Sequence, residues 1–137
     1  MRFVLPALLL MASASGASAA PNVIGNWLTE DKSAIITIEP CGRQLCGSIA
    51  RILVNRPGRP WTDSHNPDPA LRNRPVLGMR IISGLNPGKE RWDGGRIYDP
   101  QSGKSYKSYL QPNPDGSLKV AGCILVFCQA QRWTRVR

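Results

Sequence analysis

Beyond its first twenty residues the chain holds no run with a sustained helical period. Short stretches rich in β-branched and aromatic residues are instead cut apart by clusters of Gly, Pro, Asn and Asp. That punctuation argues against a helical bundle or an alternating α/β layer and marks an all-β domain. Strand-like runs fall at 24–28, 33–39, 46–53, 76–84, 96–99, 105–111, 117–123 and 129–136. Alternation backs several of them: Leu118 and Val120 share one face, Lys119 and Ala121 the other. Register is least determined over 48–53, where alternation fails. The expected architecture is a small up-and-down antiparallel β-barrel of about eight strands, since closure leaves no exposed edge.

The N-terminus is expected to lie outside this domain. Met1 and Arg2 precede an apolar run at 3–11, too short to span a membrane as a helix. Ala17-Ser18-Ala19 then fits the small-x-small cleavage site of a secretory signal. Residues 1–19 are read as a signal peptide and 20–137 as a single barrel domain, exported to the periplasm or secreted. Four cysteines, all past the leader, fit disulfides in an oxidising compartment. Cys41 and Cys46 flank one hairpin turn; Cys123 and Cys128 flank another. Local pairing within each hairpin is favoured, and the alternative joins 41 with 128 and 46 with 123. The C-x-x-x-x-C spacings do not match the tighter knuckles of zinc ribbons, so no metal is expected.

The connection 54–75 is long for a compact domain, and such loops tend to carry function. Within it, Asp68 before Pro69 reads as an N-cap and first helical residue, giving one helical turn over 68–73 that Pro75 stops. Arg72 and Arg74 do not share a face of such a turn, so one is assigned to bracing the loop and the other to a ligand.

The sequence blocks G-N-W-L-T-E (25–30), E-P-C-G-R-Q-L-C-G (39–47), N-P-D-P-A-L-R-N-R-P-V-L-G (66–78), W-D-G-G-R-I-Y-D-P-Q-S-G-K-S-Y (92–106), G-C-I-L-V-F-C (122–128) and W-T-R (133–135) resemble the exported bacterial family DUF2147 along the whole mature chain. That resemblance implies a fold and a compartment but no activity. Gly25-Asn26-Trp27 is also similar to the G-x-W of lipocalins. There the tryptophan plugs the closed end, and a basic residue of the last strand packs over its ring. The resemblance makes Arg135 the partner of Trp27, with Arg132 as the alternative. Such a guanidinium–indole pair is favourable.

No catalytic constellation emerges. His65, the lone histidine, lies between Ser64 and Asn66 in the long loop without a motif that positions a nucleophile. Asp63 and Asp68 near it do not have a diagnostic metal spacing, and Asp93 and Asp99 read as turn formers. The expected function is therefore non-enzymatic, with no cofactor: binding of a small amphiphilic or anionic ligand in the cell envelope, at the barrel mouth. Arg72, Arg74 and Arg80 are the candidate anion contacts, and Trp61 and Trp92 the candidate apolar surface. The alternative is an envelope interaction protein that meets a protein partner or an anionic surface. It would use the net charge of +9 and the apolar loop Ile124-Leu125-Val126-Phe127. That loop is expected to fold under and cap the barrel rather than stand exposed. The cations form no run, and nucleic acid is not an expected partner.

Overall fold

The computed structural model describes residues 19–54 and 61–137. The expected signal peptide, Ala19 apart, lies outside the described residues, as do residues 55–60 of the long connection. Eight strands form: β1 (Gly25–Leu28), β2 (Ala34–Cys41), β3 (Gln44–Ile52), β4 (Arg80–Leu85), β5 (Trp92–Asp99), β6 (Lys104–Pro112), β7 (Leu118–Ile124) and β8 (Phe127–Arg135). Each pairs antiparallel with its neighbour in sequence, and β8 returns to β1 to close the barrel. The one helical element among the described residues is a 3-10 turn at Pro69–Leu71. Asp68 caps it by accepting a hydrogen bond from the Ala70 N–H.

Most strand boundaries fall within two residues of the sequence expectation, and two strand starts differ from it by four. β4 begins at Arg80 and not at residue 76. The Val76 N–H bonds the Trp61 carbonyl, and Gly78 turns the chain at φ +81° with its N–H on the Ile49 carbonyl, so this segment cannot continue a straight ladder. β5 begins four residues early, at Trp92, because Asp93-Gly94-Gly95 is absorbed as a register shift and not as a turn.

The barrel is filled at one end. Trp27, Ile38, Leu45, Leu85, Leu110 and Leu118 are buried there, with Val23 beneath them. The inward-facing glycines Gly47 and Gly95 leave space that Ile82 and Leu85 already occupy. The Trp27 indole N–H bonds the Val23 carbonyl (3.0 Å), and the Trp92 indole N–H bonds the Pro21 carbonyl (2.8 Å), so the N-terminal segment is drawn across this end. Arg135 sits with its guanidinium carbon 4.3 Å from the Trp27 ring centroid and donates to the Ile24 carbonyl. The Cys41–Cys46 disulfide closes the β2–β3 hairpin at this same end, and Cys123–Cys128 spans the β7–β8 hairpin at the other. Both cysteine pairs are local.

The glycine of G-N-W is required twice over. Its φ is +137°, and a Cβ there would meet Arg135 Nη1 at 2.6 Å. Gly25→Ala should therefore cost about 1–3 kcal/mol in urea denaturation. The steric part of that cost should disappear in an Arg135→Ala background; an equal cost in both backgrounds would show that the guanidinium is not what Gly25 makes room for.

Candidate functional site

The opposite end is open. It carries the β1–β2 turn at 29–33, the long β3–β4 connection, the β5–β6 turn and the β7–β8 tip. A cavity of about 550 Å³ enters the barrel here, within the range of small-molecule sites. Trp133, Val120, Ile36 and Ile49 form its inner part, Ile97 and Tyr106 its wall, and Trp61 and Tyr98 part of the mouth. Space exists because β7 presents Gly122 inward opposite Ser108, and the nearest atom to a Cβ on Gly122 is Tyr106 Cβ at 3.4 Å.

The polar part of the lining comes from few side chains. Gln129 and Gln131 project from β8, and the Gln131 carbonyl oxygen accepts the Trp133 indole N–H (3.0 Å). Asp31 and Asp99 are the lining carboxylates, and no lysine or arginine is among the described lining residues. Both carboxylates serve their turns. Asp31 accepts from the Thr29 hydroxyl and from the Ser33 N–H and hydroxyl, and Asp99 accepts from the Gln101 N–H and the Ser102 hydroxyl. Partial burial opposes the charge on Asp31, yet the bonds from Ser33 and Thr29 outweigh it and lower its pKa below 3.8.

Of the five expected ligand contacts, Trp61 alone lines the cavity. Trp92 is inward but at the closed end, opposite Leu110. Arg80 is exposed, and its register partner Ser48 pairs in turn with Thr37 on the barrel exterior. Arg72 and Arg74 both brace the loop: Arg72 Nε donates to the Asn66 carbonyl (2.8 Å), and Arg74 Nε donates to Asp63 Oδ2 (3.0 Å). The division of labour expected between them is not seen in these contacts. Sequence reading missed Gln129 and Gln131, although their alternation along β8 was visible.

Asp63 organises the mouth. It is fully buried, and its carboxylate accepts from Arg74, from Asn66 Nδ2 (2.8 Å) and from the Tyr98 hydroxyl (2.5 Å). This ties the long connection to β5. A second tie lies at Gly103, φ +72°, where a Cβ would fall 1.9 Å from the His65 carbonyl oxygen. His65 is exposed, with its ring 3.5 Å from the Ser64 hydroxyl, and no group of three or more metal-ligating side chains occurs among the described residues. Burial works against the Asp63 charge, but the bonds from Tyr98, Asn66 and Arg74 more than offset it, so its pKa falls below 3.8. Burial and the Asp63 carboxylate together push Tyr98 up to about 12.

The family model for an uncharacterized protein conserved in bacteria (DUF2147) matches residues 25–135. A solved structure, protein HP1028 from Helicobacter pylori, described as belonging to the lipocalin family, is similar with a TM-score of 0.75. It is 22% identical and covers 85% of this chain and 84% of its own. That likeness is one of fold. No curated protein matches the chain.

The Asp63 cluster gives a pH signature. Asp63 has a depressed pKa, so its contribution is complete above about pH 4 and lost as pH falls through the lowered value. Tyr98 has a raised pKa, so its contribution is complete below about pH 10 and lost as pH rises through about 12. Tyr98→Phe should cost about 1.5–3 kcal/mol at pH 7, the range for a hydrogen bond to a charged group. In urea melts across pH, the gap between wild type and Asp63→Asn should narrow below about pH 4. A gap that stays constant from neutral pH to pH 2 would remove Asp63 as the group responsible.

Proposed function

We propose that this chain, which belongs to the DUF2147 family of proteins conserved in bacteria, is a non-enzymatic binder of a small amphiphilic ligand, held in the barrel cavity of an exported protein. The observation that carries the reading is the half-open cavity of about 550 Å³, lined mostly by apolar and aromatic side chains with a few polar ones among them. A ligand with an apolar body would displace water from Trp133, Val120, Ile36, Ile49 and Ile97. Its head would meet the amides of Gln129 and Gln131 and the hydroxyl of Tyr106. The lipocalin-like barrel of the H. pylori neighbour supports a small-ligand role by analogy of fold.

The described lining bears on the head group. An anionic head was expected to meet Arg72, Arg74 or Arg80, but the described lining offers two carboxylates and no cation. A carboxylate or phosphate head placed between Asp31 and Asp99 meets repulsion. A neutral hydrogen-bonding head meets amide donors and acceptors. The described lining therefore favours a neutral amphiphile, such as a long-chain alcohol or monoacylglycerol, over an anionic one. The local disulfides are compatible with export to an oxidising compartment.

Delipidated protein should show a thermal shift of about 5 °C or more with a monoacylglycerol at roughly a hundredfold excess over its Kd. The corresponding fatty acid should give less. Gly122→Leu, which fills the cavity from β7, should abolish the shift while circular dichroism and the melting transition show a folded barrel. Absence of a shift with neutral, anionic and cationic amphiphiles alike would count against the cavity as a ligand site.

A further inference from the structure

The β7–β8 hairpin does not fold under the barrel. Ile124 and Phe127 pair as the last rung, and Leu125 and Val126 form a two-residue turn with Leu125 at φ +54°. All four side chains are exposed, Leu125 at 81% and Val126 at 86%. The expected capping of the barrel by this loop is thus overturned: β8 is too long for it. β1 pairs β8 only at Trp27–Arg135 and Leu28–Thr134, and the chain then leaves into the β1–β2 turn. From Phe127 to Trp133 the outer edge of β8 has no strand beside it among the described residues, a length of roughly 20 Å. The hairpin therefore stands above the neighbouring rim. The Cys123–Cys128 disulfide lies across its two strands just below the tip.

Four consecutive exposed aliphatic and aromatic side chains on a convex turn are costly in water; among the described residues at this end, Leu71 and Leu77 are exposed singly in the β3–β4 connection, and the one other exposed apolar pair is Leu53 and Val54. Those two leave the end of β3, which lies on the far side of an eight-strand barrel from β7 and β8. The charge beside the tip is positive. Lys107 is the register partner of Cys123, and Arg96 is in turn the partner of Lys107, so both stand on the outer surface at the level of the disulfide. Lys104 begins β6 at the same end. Asp99 and Asp31 point to the cavity and are engaged by their own turns.

We propose that the Ile124–Phe127 tip is a membrane-docking element that inserts into the surface of an anionic lipid bilayer, with Lys104, Lys107 and Arg96 against the headgroups. A convex apolar point with cations on its β5–β6 flank suits an interface of acyl chains below phosphate. The tip itself carries no Trp, Tyr or Arg, the side chains that most often anchor protein partners. Docking in this pose presents the cavity mouth to the bilayer, since Ile124 and Phe127 belong both to the tip and to the cavity lining. The inference stands whether or not the cavity holds a ligand.

The test is sedimentation of the oxidised protein with vesicles of phosphatidylglycerol and of phosphatidylcholine. Wild type should bind the anionic vesicles and bind the zwitterionic ones at least tenfold more weakly. Val126→Asp should reduce binding to phosphatidylglycerol at least tenfold without lowering the melting temperature, because the side chain touches little of the fold. Lys107→Glu should weaken it in a salt-dependent way. Val126→Trp should show a blue shift of tryptophan emission over wild type when vesicles are added. The proposal is overturned if wild type binds neither vesicle, or if Val126→Asp binds as wild type does. It is equally overturned if the tip is instead covered by a second copy, seen as a concentration-dependent dimer that Val126→Asp abolishes while vesicles remain unbound.

Discussion

Closure of the barrel rests on a narrow seam. Every other neighbouring pair of strands is joined in a hairpin or across a connection, but β1 and β8 lie at opposite ends of the chain and share two register pairs. Two rungs of ladder give little hold between distant segments. Arg135 adds to that hold, stacking on Trp27 of β1 while bonding the Ile24 carbonyl, so a side chain of β8 continues the seam where the ladder stops. Val136 N–H on the Asn26 carbonyl extends it by one more bond. Gly25 is the space this arrangement demands. With the seam shut, Trp27 becomes a floor and the leucines and isoleucines of β2, β3, β4, β6 and β7 have a surface to pack on.

The two ends of the barrel then diverge for reasons of side-chain volume. On β3 and β5 each inward glycine is matched by a larger neighbour, Gly47 by Ile82 and Gly95 by Leu85. At the open end Gly122 and Ser108 face inward side by side with no such filler, and β1 ends too soon to supply one. Short β1 and long β8 therefore produce both the cavity and the exposed hairpin. Asp63, Arg74, Asn66 and Tyr98 hold the described part of the long connection against β5.

Much of the fold was legible because hairpin signals are local. Asp68-Pro69 announced a helical turn, which forms as the shorter 3-10 turn at Pro69–Leu71, and the spacing of each cysteine pair announced a local hairpin crosslink, a register pair only for Cys123 and Cys128. Strand boundaries failed where backbone geometry and not residue type decides. Val76 looks like strand, but Gly78 at positive φ turns the chain after it; Asp93-Gly94-Gly95 looks like a turn but is taken up within β5. The site was harder to read. A cavity is a difference between the space that strands enclose and the volume their side chains fill, and no single residue encodes it. Arginines drew attention as ligand contacts, yet the buried carboxylate of Asp63 claims Arg74 and the Asn66 carbonyl claims Arg72. Such claims depend on partners brought in by tertiary contact. The tip is the reverse case: its apolar composition argued for burial, and only the overhang of β8 leaves it in the open.

The cysteine pairing has a consequence for how the chain matures. Each disulfide joins residues five apart, Cys41 with Cys46 and Cys123 with Cys128. Closing so short a loop takes little chain entropy from the unfolded state, so these bonds add less to global stability than a long crosslink would. What they gain is order of assembly. Cysteines paired consecutively can be oxidised as each hairpin emerges, before any distant strand is present, and no reshuffling is needed to reach the native set. The β7–β8 hairpin can thus be crosslinked before its last strand meets the first.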